Sequence, residues 1–275
     1  MRDRAISAAI LVPALLLVLA VGGIVLAGAV AVVTVFAARE AFKLLADSGF
    51  PTLPLMGTVL ALSVVMDATF PGVLEGSGLL LMAVGIMLVA VAAFALPNPR
   101  DGLITWMATA FGALYVSLLA FVVRLGHAAP VVPDSAPFVA LGAERGWILL
   151  LLLTVWAYDT GAFFVGRQFG RERFLIHISP SKTYAGLVGG VVASTAVVGL
   201  LLWGLGQTPL HALLLGPLIA LAAQAGDLAE SMLKRAANTK DSGTLIPGHG
   251  GMLDRVDSFL FAAPVVTLYV LAFVN

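Results

Sequence analysis

Between residues 224 and 257 the chain gathers carboxylates, ammonium groups, hydroxyls and glycines into one short stretch. In QAGDLAESMLKRAANTKD, Asp227, Glu230, Ser231 and Lys234 stand at i, i+3, i+4 and i+7, so a helix here carries two acids, a hydroxyl and an ammonium on one face. Lys240 and Asp241 follow, and SGTLIPGHGGMLDRVD then adds Gly243, Gly248, Gly250 and Gly251, which let a ligand approach the main chain closely. Asp254, Arg255 and Asp257 open the next apolar run. Dipole compensation at a helix N-terminus explains two aspartates there. It does not explain His249, Arg255 and the glycines beside them, although His249 alone more often has a structural role.

A second set lies upstream. Asp159 falls inside an apolar run, where an ionised carboxylate is costly unless it is paired, metal-bound or hydrated. In SPSKT, Ser179 reads as an N-cap with Pro180 at the first helical position, which puts Ser181, Lys182 and Thr183 in the first turn. Free N–H groups, hydroxyls and a lysine make an anion site. An ordinary cap with one interfacial lysine accounts for the same residues equally well.

Hard carboxylate oxygens suit Mg²⁺, and the absence of cysteine removes thiolate ligands and thiolate nucleophiles. Lysine, arginine, hydroxyls and a glycine-rich backbone suit phosphate oxygens. Phosphoryl and nucleotidyl transfers need mainly positioning and charge neutralisation, which these residue types provide.

The elements that carry these groups are dictated by composition. The 275 residues are 60% hydrophobic and only 11% charged, with a mean hydropathy of +1.05. Such a chain is an all-α polytopic membrane protein, because lipid forces backbone polar groups to bond within helices. Nine apolar runs are expected to be transmembrane helices: 5–20, 23–42, 53–70, 78–96, 103–123, 147–165, 184–203, 210–233 and 256–274. An N-terminal signal peptide is disfavoured, since a second apolar run follows Gly22–Gly23 almost at once. With the N-terminus inside, all fifteen Lys and Arg except Arg124 and Arg145 fall in cytoplasmic segments, so the positive-inside rule places the C-terminus outside. Up to residue 145, about five spans are joined by short, plain loops; in 146–275, about four spans carry two longer polar loops, 166–183 and 234–255. Function is therefore expected in the second region, facing the cytoplasm. The net charge of zero says nothing about partners.

SMLKRAANTKDSGTLIPGHGGMLDRVD, 231–257, resembles the signature of the phosphatidate cytidylyltransferases, or CDP-diacylglycerol synthases, at every fixed position. DTGAFFVGRQFG at 159–170 and SPSKTYAG at 179–186 are similar to other recurring segments of that family, with Phe163, Tyr184 and Ala185 departing from its common residues. The resemblance implies transfer of CMP from CTP to phosphatidate, giving CDP-diacylglycerol and pyrophosphate, with Mg²⁺ and room for a second cation. It implies Asp227 and Asp254 as metal ligands, with Asp257, Asp241 or Asp159 as further ligands or supports. Ser179, Ser181, Lys182, Thr183, Ser231, Arg235, Gly250 and Gly251 are expected to bind substrate. Lys234, Lys240, His249 and Arg255 are expected to neutralise charge on the triphosphate and the departing pyrophosphate. The partners implied are CTP, phosphatidate and membrane lipid, without nucleic acid and with a homodimer left open. The location implied is the cytoplasmic membrane of a bacterium.

Two rivals stand beside this reading. A CTP-dependent polyprenol kinase, or an enzyme cytidylylating an ether-linked lipid, would use the same residue types. A secondary transporter would use intramembrane acids for ion coupling, but transporters carry duplicated halves with midplane sites. Here the polar groups cluster at one interface of one region.

Overall fold

Apolar runs bounded by glycine and proline become helices in a computed structural model, which describes residues 2–72, 77–248 and 250–274. Among the described residues ten α-helices follow one another: α1 Arg2–Val21, α2 Gly23–Asp47, α3 Pro54–Thr69, α4 Ser77–Ala93, α5 Pro99–Ser117, α6 Ala120–Ala128, α7 Gly142–Phe169, α8 Tyr184–Gly204, α9 Ala212–Ala236 and α10 Leu253–Phe273. Among the described residues there is no β-strand, and only two isolated bridges occur, Arg173 with Thr183 and Ile246 with Gly250. Each expected span falls on a helix, the fifth being α5 continued by α6.

Among the described residues six stretches are long and apolar enough to cross a membrane: Gly23–Asp47, Pro99–Ala128, Val139–Phe169, Tyr184–Gly204, Pro209–Ala236 and Leu253–Phe273. The apolar stretches Ala9–Val21, Pro54–Thr69 and Leu80–Ala93 are shorter than the roughly 20 residues that span a hydrocarbon core of about 30 Å. The chain is an integral membrane protein. Its helices show the matching pattern: on α8, Gly186, Gly190, Ser194 and Val198 are buried, while Val188, Val192, Leu200 and Trp203 are exposed. One stripe meets protein and the other is left for lipid tails.

The chain divides into two compact units, neither of them continuous: Met1–Val123 with Met232–Val256, and Arg124–Ser231 with Asp257–Asn275. The composition boundary at residue 145 marks a change in loop chemistry, which is a different property from compactness. In the first unit α2, α3, α4 and α5 pack against one another. Phe42, 1% exposed, fills the space left by Gly57 of α3 and Gly112 of α5, where a Cβ would come within 2.1 and 2.5 Å of its ring. Trp106 Nε1 of α5 donates to the Ile86 carbonyl of α4 at 3.0 Å, and the backbone N–H of Leu53 donates to Thr109 Oγ1 at 2.9 Å. In the second unit α7 and α8 lie in close contact. A Cβ on Gly161 would sit 2.7 Å from that of Ala193, so small residues set this approach.

Candidate active site

In the first unit the site begins where α9 stops. Asn238 adopts a left-handed φ of 53°, the Thr239 N–H donates to Lys234 O at 2.9 Å, and the Asn238 N–H donates to Arg235 O at 3.0 Å. This Schellman arrangement ends the helix and turns the chain into the polar loop. Arg235 Nη1 donates to Thr239 O at 3.2 Å and braces that turn. Farther on, the Ile246 N–H donates to Gly250 O at 2.9 Å, with Gly248 and Gly250 at φ of 75° and 81°. A side chain would be strained at both glycines.

Asp254, in the first turn of α10, is held by a lysine of α9 and by Ser242 and Gly251 of the loop. Lys234 Nζ donates to its Oδ1 at 2.7 Å, with the two side chains 12% and 7% exposed. Its Oδ2 accepts from the Ser242 N–H at 2.9 Å and the Gly251 N–H at 2.8 Å, and it lies 2.9 Å from Ser242 Oγ. The carboxylate is thus fixed in place before any substrate arrives. Beside it a cavity of about 700 Å³ is lined by Lys240, Asp241, Gly243, Thr244, Ile246, Pro247, Gly248, Gly250 and Arg255. Two cations and a glycine-rich backbone make this cavity suitable for an anionic ligand.

Two residues of this site, Glu40 and Ser242, are not among the candidates that the sequence offers. Glu40 of α2 is 9% exposed, and its carboxylate accepts from the Met252 N–H at 3.0 Å, the Leu253 N–H at 2.7 Å and Ser242 Oγ at 2.9 Å. Arg39 and Lys43 beside it are exposed, so FAAREAFKLL reads as an ordinary charged helix end. The overlooked signal is that Glu40 shares a face with Ala37, Ala41 and Leu44, all of them buried. Ser242, 3% exposed, was also missed because a serine between Asp241 and Gly243 looks like any loop residue.

In the second unit, Lys182 Nζ and Asp227 Oδ2 form an ion pair, with side chains 24% and 22% exposed. SPSKT places that lysine by a route that differs from the expectation. The N-cap of α8 is Thr183, in extended backbone, whose Oγ1 accepts from the Gly186 N–H at 3.1 Å. Ser179, Pro180, Ser181 and Lys182 form a turn before the helix, closed by the Lys182 N–H donating to Ser179 O at 3.3 Å. Proline at the second position of a turn satisfies its fixed φ as well as the first helical position would. Bonds from the Phe174 N–H to Lys182 O (3.3 Å) and from the Tyr184 N–H to Glu172 O (3.1 Å) then hold Lys182 in extended chain. The expectation of Ser179 as cap, with Ser181 and Lys182 in the first turn, is corrected accordingly.

Around Asp227 the helices touch. A Cβ on Gly226 would lie 2.3 Å from Asp257 O, so α9 and the backbone of α10 at Asp257 pass in direct contact beside this acid. Asp257 Oδ1 accepts from the Ser258 N–H at 2.6 Å. One turn before Asp227, Gln224 accepts a hydrogen bond from Tyr158 OH, and both residues are buried. Asp159 is exposed on α7, while Glu230 and Ser231 on α9 are buried. His249 lies outside the described residues.

Among the described residues no three acidic or histidine side chains converge as a ready metal cage. Mg²⁺ does not need one, since it is commonly held by one or two carboxylates together with substrate phosphates and water. Asp254 and Asp227, each a hard oxygen donor already facing one ammonium, fit that mode of binding.

A family model described as "Cytidylyltransferase family" matches residues 2–273. A protein named phosphatidate cytidylyltransferase from Synechocystis sp. is 33% identical over 98% of this chain and 96% of its own length. Phosphatidate cytidylyltransferase 5, chloroplastic, from Arabidopsis thaliana is 36% identical over 92% of this chain and 69% of its own length. A phosphatidate cytidylyltransferase from Bacillus subtilis is 41% identical over 121 residues, which is 43% of this chain and 45% of the relative.

Proposed function

Because the chain belongs to the cytidylyltransferase family, we propose that its two acid–lysine pairs and the loop around Asp254 are the machinery of its reaction. The activity is that of a phosphatidate cytidylyltransferase: CMP passes from CTP to phosphatidate, giving CDP-diacylglycerol and pyrophosphate. The observation that supports the site assignment best is the Asp254 carboxylate, immobilised by Lys234, Ser242 and Gly251 beside a cavity that carries Lys240 and Arg255.

In this mechanism an oxygen of the phosphatidate phosphate attacks the α-phosphorus of CTP in line with the bond to the departing pyrophosphate. That bond breaks as the new P–O bond forms, and pyrophosphate leaves with its electron pair. Little base catalysis is required, because a phosphate monoester is already largely ionised near pH 7. Lys240 and Arg255 neutralise charge growing on the leaving phosphates, a role that works best from preorganised positions. Lys182, with the Ser179 and Ser181 hydroxyls, binds phosphate in the second unit, and Arg235, Ser231 and Gly250 support substrate binding. Asp254 in the first unit and Asp227 in the second are each a proposed ligand for Mg²⁺, which when bound would neutralise phosphate oxygens and orient the triphosphate. Asp257 and Asp159 are proposed supports.

We place the N-terminus and both polar loops on the cytoplasmic side of a bacterial inner membrane, with nine spans in all. The shorter apolar stretches Ala9–Val21, Pro54–Thr69 and Leu80–Ala93 cross by local thinning of the bilayer. Single cysteines test this arrangement cleanly, since the chain has none of its own. In intact cells a membrane-impermeant maleimide should label Asp134→Cys and leave Thr244→Cys unlabelled. The reverse pattern would invert the topology.

The reaction itself is tested with CTP carrying label either on the α-phosphate or on the γ-phosphate. Label from the α position should enter phosphatidate-derived lipid, and label from the γ position should leave as pyrophosphate. Transfer of the γ label to lipid would make the enzyme a kinase.

A further inference from the structure

We propose that Glu40 is a positioning residue for nucleotidyl transfer: it clamps the N-terminus of α10 and, through the Ser242 hydroxyl, sets how Asp254 is presented to cation and nucleotide. The proposal rests on the assignment of Asp254 to the reaction.

A helix beginning at Leu253 leaves its first N–H groups without helical partners. Glu40, on a helix distant in sequence, fills that gap by accepting from Met252 and Leu253. The loop has been shaped around this carboxylate. A Cβ on Gly243 would lie 2.6 Å from Glu40 Oε1, and one on Gly251 would lie 2.3 Å from Glu40 Oε2 and 2.2 Å from Ser242 Oγ. These two glycines, which as sequence suggest close approach of a substrate, are in fact in close approach to Glu40. A tether alone would not need a buried charge, because a carboxylate removed from water is costly unless its hydrogen bonds are made.

Ser242 shows what that work is. Its Oγ is 2.9 Å from Glu40 Oε2 and 2.9 Å from Asp254 Oδ2, yet it has one proton to donate. Glu40 therefore offers a second acceptor. When the proton turns to Glu40, Asp254 Oδ2 keeps its two backbone bonds from the Ser242 and Gly251 N–H groups, and Oδ1, which accepts from Lys234, has a second lone pair for a cation. When the proton turns to Asp254, Oδ2 faces three donors and the carboxylate has less negative charge to offer a cation. Glu40 thus tunes nucleotide and cation binding without touching either.

The test uses the full-length protein in detergent, with CTP, Mg²⁺ and phosphatidate varied in turn. Glu40→Gln is nearly isosteric but turns one acceptor into a donor facing a backbone N–H. It should raise the KM for CTP and the half-saturating Mg²⁺ by about tenfold or more, with the KM for phosphatidate within about twofold. Glu40→Asp should fall between Gln and wild type. Ser242→Ala keeps both backbone bonds of Glu40, so it carries the test if Glu40→Gln does not fold; it should shift the same two constants. The double variant should be no worse than the worse single variant, since the two residues act in one chain of contacts. Hydrogen exchange supplies a readout apart from activity: the Met252 and Leu253 amides should exchange about tenfold faster or more in Glu40→Gln.

Unchanged constants for CTP and Mg²⁺ in folded Glu40→Gln, or effects of Glu40→Gln and Ser242→Ala that multiply, would overturn the proposal. Should the wild-type protein fail to place CMP on phosphatidate, the assigned reaction falls, whereas unaltered exchange at Met252 and Leu253 removes the clamp whatever the reaction.

Discussion

Asp254 and Asp227 are both aspartates facing a lysine, yet the two units hold them in different ways. In the first unit Asp254 is almost buried and gathers Lys234, two backbone N–H groups and a shared hydroxyl. In the second unit Asp227 is about a fifth exposed, and Lys182 reaches it from a turn. Preorganisation is strong in the first case and weaker in the second. An acid fixed by its own loop serves to define geometry, whereas an acid paired with one flexible lysine is free to exchange that partner for a ligand.

Substitutions that remove one acid at a time break this comparison most sharply. Asp254→Asn should lower turnover by about 10²-fold or more, as loss of a preorganised electrostatic group does. It should also cost about 1–3 kcal/mol of stability, since it removes the charged acceptor shared by Lys234 Nζ and the Ser242 and Gly251 N–H groups. Thermal unfolding of the purified protein beside the CTP assay reads both effects. Gly251→Ala comes next: its Cβ meets Ser242 Oγ and Glu40, so stability should drop by about 1–3 kcal/mol through overpacking and turnover should fall with it. Asp227→Asn should lower turnover by about 10²-fold while unfolding changes by no more than about 1 kcal/mol, the range for a partly exposed pair. A large loss of stability there would erase the contrast between the units. The smallest effect belongs to Thr183→Val, which removes the cap of α8 and should cost about 1 kcal/mol with a modest change in turnover.

The helices were legible because apolar runs bounded by glycine or proline leave an unmistakable pattern, and every such run became a helix, six stretches among the described residues being long and apolar enough to cross a membrane. The Asp227–Lys182 and Asp254–Lys234 pairings join residues that type, helical spacing and resemblance single out one by one, since none of these says which lysine meets which acid. SPSKT misled because proline fits the first turn of a helix and the second position of a tight turn equally well, and only Thr183 in extended backbone decides between them. Glu40 stayed hidden for a different reason. Its partners are two backbone N–H groups and a serine some two hundred residues away, and no local pattern encodes such a contact. The glycines shared that ambiguity, for close approach to a substrate and close approach to a buried carboxylate demand the same residue.

The most direct test of the account is single-turnover transfer of α-labelled CMP to phosphatidate by folded wild-type and Asp254→Asn proteins at saturating Mg²⁺. The account predicts label in CDP-diacylglycerol with equimolar pyrophosphate for the wild type, and a rate about 10²-fold or more lower for the variant. Transfer by folded Asp254→Asn at the wild-type rate would contradict it.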